Sequence, residues 1–131
     1  VYFSQPRTDT LRDIAKGLAR GIESQGHTVE LIDGNRDLQA RLTMYEYVAV
    51  GADPVGFLGG KIDSNVSEFL SSAGMIGGKR SFAFVRRKLL GSQKALATLM
   101  KKLEGEGMFL RFSDVLQDAP EAEEIGKRLK I

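Results

Sequence analysis

The segment Tyr45-Glu46-Tyr47-Val48-Ala49-Val50-Gly51 is followed by a glycine-rich loop at residues 52–61 and by a helical pattern that starts near Ser64. The segment is short, ends on an apolar run and is rich in β-branched and aromatic residues, which is typical of a strand inside a parallel sheet. Consecutive parallel strands need a crossover connection, usually a helix. The order strand, loop, helix therefore predicts an alternating α/β fold.

The same alternation extends over the whole chain. Strands are predicted at residues 1–3, 27–33, 45–51, 80–85 and 108–112. Helices are predicted from Thr10 to about Gln25, from Ser64 to about Gly74, from Ser92 to about Gly105 and from Pro120 onward, with Thr10 and Ser92 as N-caps. Strands separated by helices run parallel through right-handed crossovers. We therefore expect a single domain, residues 1–131, with a three-layer, doubly wound sheet of five strands.

Composition limits the class of protein. Hydrophobic residues make up 42% of the 131 residues and charged residues 27%, and the net charge is only +2, which predicts no nucleic-acid partner. There is no cysteine, hence no disulfide framework or thiolate metal site. No apolar run reaches the roughly 20 residues that cross a bilayer, so we expect a cytoplasmic protein with no membrane partner. The chain opens on Val1 without a methionine, and we expect a few residues to precede it.

Three loops are expected to meet at the carboxyl ends of the strands, where open α/β sheets bind their ligands. They are the first loop (residues 4–10), the second loop (residues 52–61) and the third loop (residues 86–92). The first loop leads into a helix N-terminus, where free N–H groups and the helix dipole favour an anion. The hydroxyl groups of Ser4, Thr8 and Thr10 in this loop either cap the helix or bind a phosphate group.

Other kinds of site find little support in the sequence. No Ser-His-Asp set or metal-ligand cluster can be assembled, so we predict no catalytic and no metal-binding residues. His27 is expected to be a surface residue. Asp33 ends a predicted strand, as the ribose-binding acid of a dinucleotide domain does, but Gly-x-Gly-x-x-Gly is missing after the first strand.

Three stretches carry a resemblance to a known family. They are Tyr2-Phe3-Ser4 with Thr8-Asp9-Thr10 and Ile14-Ala15; Val50-Gly51-Ala52-Asp53-Pro54-Val55-Gly56-Phe57 with Val66-Ser67-Glu68-Phe69-Leu70; and Leu96 to Phe112. In this order they resemble the flavodoxin family over nearly the whole chain. The resemblance implies a five-stranded sheet in the order 2-1-3-4-5 and noncovalently bound FMN, which would make the protein a flavoprotein of the oxidoreductase class acting in electron transfer.

The resemblance also implies which residues hold FMN. Ser4, Thr8 and Thr10 would donate to the phosphate within a loop that also contains Gln5, Arg7 and Asp9. One face of the ring would be lined by Ala52, Pro54, Val55, Gly56 and Phe57, and the other would face Arg86, Arg87 and Lys88. A redox partner protein would exchange electrons with the flavin, and the protein would be a monomer or a homodimer.

Departures from the family pattern keep other functions open. The first loop lacks the family's glycine, contains Pro6 and has Asp9 in place of the usual asparagine. A carboxylate near a phosphate dianion is repelled unless a cation such as Arg7 neutralises it. These features favour a flavodoxin-like module that has lost FMN and serves as an interaction or regulatory domain. A flavin-dependent quinone or nitro reductase is a third hypothesis and would need a dimer.

Overall fold

The computed structural model describes residues 1–56, 58 and 60–131, in which strands and helices alternate. The strands are β1 (Tyr2–Phe3), β2 (Tyr47–Ala52), β3 (Arg80–Arg86) and β4 (Phe109–Leu116). The helices are α1 (Thr10–Glu23), α2 (Asn65–Ser71), α3 (Ser92–Gly105) and α4 (Ala119–Arg128). The predicted α/β alternation is confirmed.

The sheet is parallel and has the order β1-β2-β3-β4. The expected five strands in the order 2-1-3-4-5 are wrong for the described residues, because the segment at 27–33 forms no strand. It does run beside the outer edge of β1: the Tyr2 N–H donates to Ile32 O (3.0 Å), the Gly34 N–H donates to Tyr2 O (2.9 Å), and Asp33 forms an isolated parallel bridge with Tyr2. The contact of this segment with β1 is limited to Tyr2, whose N–H and carbonyl groups are both hydrogen-bonded to it, and residues 27–31 add no further bridge.

Apolar side chains fill the space on both faces of the sheet. In β3, Phe82 and Phe84 pack on one face against Leu11, Ile14 and Leu18 of α1 and Ala122 of α4. Ala83 and Val85 of the same strand pack on the other face with residues of α2 and α3, among them Phe69 and Leu99. This alternation follows from the period of two along a strand. The three-layer arrangement, with helices on both faces of the sheet, is therefore present.

Two helix starts differ from the prediction. Asp9 and Gly91 are the N-cap residues of α1 and α3, neither forms a side-chain cap hydrogen bond, and Thr10 and Ser92 are the first helical residues. Gly91 has φ 84°, a left-handed turn that glycine adopts without strain, and it redirects the chain into α3. The Ser92 hydroxyl accepts the Lys88 N–H (2.7 Å) and so stabilises the third loop.

None of the helices in the described ranges is both long and apolar enough to cross a membrane. Within the same ranges, no three His, Cys, Asp or Glu side chains lie close enough together to hold a metal ion.

Candidate functional site

The three loops meet at the carboxyl edge of the sheet, as predicted. The strand register places them there, because Phe3 of β1 aligns with Ala52 of β2 and Ala52 aligns with Val85 of β3. The residues that follow these three positions are neighbours across the sheet edge. A ligand held by all three loops would therefore sit at one place.

The first loop ends at a helix terminus that no side chain caps. Asp9 is the N-cap residue, and its carboxylate forms no cap hydrogen bond. The Thr10 N–H lies 3.4 Å from Thr8 Oγ1, a long and weak contact. The first N–H groups of the 14-residue α1 therefore remain open to an anion. Arg7 in this loop has φ 67°, which is uncommon for a residue with a side chain.

Ser4 lies at the start of the first loop and carries a buried hydroxyl. Its Oγ has no hydrogen-bond partner among the described residues. Its carbonyl oxygen accepts a hydrogen bond from Asn35 Nδ2 (2.9 Å), and Asn35 Oδ1 in turn accepts one from Asn65 Nδ2 (2.8 Å). A buried hydroxyl without a partner is unfavourable, which makes this group a candidate ligand donor. Sequence reasoning missed Asn35 and Asn65, since no local pattern pairs two asparagines 30 positions apart.

Asp53 is a buried acid of the second loop that sequence reasoning did not include in the site. Its side chain is fully buried, and its carboxylate accepts the Gln5 N–H at Oδ2 (2.7 Å) and Arg86 Nε at Oδ1 (2.6 Å). A signal existed: an acid directly after a buried strand points into the region where ligands bind.

The rest of the second loop closes on itself. The Val55 N–H donates to Lys61 O (2.8 Å), and Gly56 (88°) and Gly60 (86°) have positive φ between them. Ala52 and Pro54 are buried and Leu58 is 68% exposed. Phe57, one of the residues expected to line a face of the ring, lies outside the described residues.

The third loop lies against the second loop. Lys88 Nζ donates to Pro54 O (3.2 Å), and a groove of about 580 Å³ runs between Leu58 and residues 87–94. Leu89 is 98% exposed beside the groove, and Arg87 is also exposed. Of the three cations predicted to face a ring, Arg86 is instead paired with Asp53, while Arg87 and Lys88 line the groove.

Comparison with known proteins gives structural matches only. The chain matches no protein-family model and no protein with a curated description.

Among solved structures it is similar to the two-electron reduced flavodoxin of Megasphaera elsdenii (TM-score 0.73, 18% identity, 96% of this chain and 94% of that one). It is also similar to oxidised Flavodoxin 1 of Bacillus cereus (TM-score 0.70, 18% identity, 98% and 97%). A third match is the flavodiiron protein of Giardia intestinalis (TM-score 0.64, 16% identity). The similarity covers 97% of this chain and 34% of that one. Function has to be argued from the site, since one fold serves many activities. The architecture itself is established: this chain has a flavodoxin-like fold.

Proposed function

We propose that the protein binds FMN noncovalently at the three loops and acts in electron transfer. The observation that carries this proposal is the buried Ser4 hydroxyl, which has no partner among the described residues and lies in the loop that leads to the uncapped N-terminus of α1. The solved structures of similar fold include flavodoxins, which supports the same ligand class.

The residues present fit a phosphate at one end of the site. Ser4 Oγ and the first N–H groups of α1 would donate to it, with Thr8 and Thr10 as further donors. Asp9 is paired with Arg12 (3.4 Å), which offsets its charge, and Arg7 adds an exposed cation to the same loop. No deprotonation is required of any of these groups, because hydroxyl and amide donors bind an anion in their neutral forms.

The groove between the second and third loops fits a planar, partly apolar ring. Leu58 and Leu89 offer exposed apolar surface, and Arg87 and Lys88 add positive charge. When bound, FMN supplies the redox chemistry, and the protein contributes binding, orientation and electrostatics. Cations beside a ring that gains negative charge on reduction stabilise the reduced form.

A redox partner, a cytoplasmic location, and a monomeric or homodimeric state belong to the same proposal. The third loop, residues 86–92, contains no acid, and Arg87 and Lys88 are its cations that are not paired with Asp53. Such a surface favours a partner whose docking face is acidic, since complementary charge speeds association.

The proposal is tested by titrating the purified protein with FMN and recording quenching of flavin fluorescence. We expect saturable binding that Ser4→Ala weakens roughly 10- to 100-fold, because a hydrogen bond to a charged group contributes about 1.5–3 kcal/mol. Ser81→Ala is the matched control. Ser81 has the other buried hydroxyl without a partner in the described part of the chain, but it lies within β3, away from the loops.

The control variant should bind FMN like the unmodified protein. Absence of saturable quenching in the unmodified protein would exclude FMN binding. Equal weakening by both serine substitutions would exclude the role given to Ser4.

A second candidate function is an interaction or regulatory module without FMN. One observation favours it: the first loop lacks the family's glycine, and Arg7 in that loop occupies a left-handed conformation (φ 67°) that glycine adopts more readily. The same titration separates the two functions, because this module would show no flavin binding.

A further inference from the structure

A single buried carboxylate connects all three loops. Asp53 of the second loop is 0% exposed, and it accepts hydrogen bonds from the Gln5 N–H of the first loop (2.7 Å) and from Arg86 Nε at the start of the third loop (2.6 Å). The Arg86 side chain is itself only 20% exposed. A buried carboxylate is unfavourable unless it is paired and hydrogen-bonded, and Asp53 satisfies both conditions.

The sheet register creates this contact. Ala52 aligns with Val85, so the next residues of the two strands, Asp53 and Arg86, come side by side. Phe3 aligns with Ala52, and the Asp53 N–H donates to Phe3 O (3.2 Å), which brings the first loop to the same place. The carboxylate therefore holds the first loop at its second residue, two positions before the left-handed turn at Arg7.

We propose that Asp53 and Arg86 are a positioning pair, called here the loop clasp, that holds the first loop in its anion-binding conformation. Strained residues such as Arg7 persist only where surrounding contacts fix them, and the bond to Gln5 supplies such a contact. Arg86 cancels the charge of Asp53, so that the carboxylate can lie next to an anion site. The effect on FMN rests on the proposed function, whereas the effect on the first loop does not.

Asp53→Asn separates the two bonds of the loop clasp. Asparagine has almost the shape of aspartate but carries one acceptor oxygen and one donor NH₂ group. Gln5 N–H and Arg86 Nε–H are both donors, so they compete for the single oxygen. Charged donors form the stronger hydrogen bonds, so we expect the asparagine oxygen to accept from Arg86 Nε and the asparagine NH₂ group to face the Gln5 N–H. The first loop then loses its attachment.

The double variant Asp53→Asn/Arg86→Met should reverse this effect. Methionine removes the competing donor, which leaves the asparagine oxygen to accept the Gln5 N–H. Arg80→Met is the matched control, because it removes the same charge at the opposite end of β3, where Arg80 is exposed and forms no ion pair in the described part of the chain. A contact that served stability alone would show no such rescue.

The experiment measures amide hydrogen exchange of Gln5 and its loop neighbours by NMR, together with the FMN dissociation constant. In Asp53→Asn we expect exchange in the first loop to accelerate about tenfold relative to amides of β3. FMN binding should weaken about tenfold. Both quantities should return to within about threefold of the unmodified protein in the double variant, and Arg80→Met should leave first-loop exchange and FMN binding unchanged.

Three results would overturn the loop clasp. One is unchanged exchange in Asp53→Asn with tighter FMN binding, which would mean that the carboxylate acts only by repelling phosphate. Another is an effect that the double variant does not reverse. The third result concerns the case in which Asp53→Asn does not fold. The loop clasp is then wrong if the double variant folds but its first-loop amides are not protected from exchange. If the unmodified protein binds no FMN, the proposed function fails, and the exchange data still decide on the loop clasp.

Discussion

Arg7 illustrates at the residue scale how the first loop differs from a glycine-containing turn. Its φ of 67° is left-handed, and it is the one non-glycine residue with positive φ in the described part of the chain. That conformation costs a residue with a Cβ atom roughly 1–2 kcal/mol. We expect Arg7→Gly to be more stable than Arg7→Ala by about 1 kcal/mol in urea denaturation, because only glycine adopts this conformation freely.

The same pair of substitutions at Arg12 provides the control. Arg12 is exposed in α1, where glycine is less favourable than alanine by about 1 kcal/mol, so the order of stabilities should be reversed. If alanine also proves the better residue at position 7, the left-handed turn is not present in solution.

At the scale of elements, α1 and α4 approach each other through glycines. A Cβ atom on Gly21 would overlap the carbonyl oxygen of Glu123, and a Cβ atom on Gly126 would lie 2.5 Å from the carbonyl oxygen of Leu18. The ion pair of Arg20 with Glu123 (3.0 Å) lies at the same contact. This close packing holds α1, whose N-terminus forms the candidate anion site.

We therefore expect Gly21→Ala to destabilise the protein by about 1–3 kcal/mol, the usual range for overpacking. Gly105→Ala is the control, because Gly105 also lies in a helix but an added Cβ would meet nothing within 4 Å. There alanine should be neutral or stabilising by up to about 1 kcal/mol. Thermal and urea unfolding of the two variants measure the difference. Equal effects at both positions would contradict the tight packing of α1 on α4.

At the scale of the whole molecule, the sheet separates two apolar layers that share its strands. Leu18 is buried on the α1 and α4 side and Leu99 on the α2 and α3 side. Since β3 contributes alternate residues to both layers, neither layer can come apart without exposing the other. We expect Leu18→Ala and Leu99→Ala each to lower the free energy of unfolding by about 2–5 kcal/mol while leaving a single transition.

Circular dichroism and tyrosine fluorescence, followed during urea denaturation, should give the same midpoint for each variant. Leu89→Ala is the control: this leucine is 98% exposed, so its truncation should change stability by less than about 0.5 kcal/mol. Separate midpoints for the two probes would show that the layers unfold independently.

The sequence by itself predicted the alternation of strands and helices, the parallel sheet and the three loops at its carboxyl edge. These features follow from local periodicity, since a buried strand or one buried helix face leaves its period in the sequence. The strand expected at 27–33 shows the limit of this reasoning. Its alternation is real, but in the structure the segment forms a single isolated bridge, between Asp33 and Tyr2, instead of a ladder.

Tertiary structure alone decided which groups in the loops meet. Arg86 was predicted to face a ligand, yet the β2–β3 register places it beside Asp53, 33 positions earlier in the chain. The bond from Asn35 to the Ser4 carbonyl likewise spans 31 positions. Local patterns carry no information about such pairs, because the contact depends on how the strands align and on which buried charge needs a partner. The physical reason is that sequence periodicity indicates which side chains of one strand or helix are buried. A binding site depends instead on the distances between loops that are far apart in the sequence.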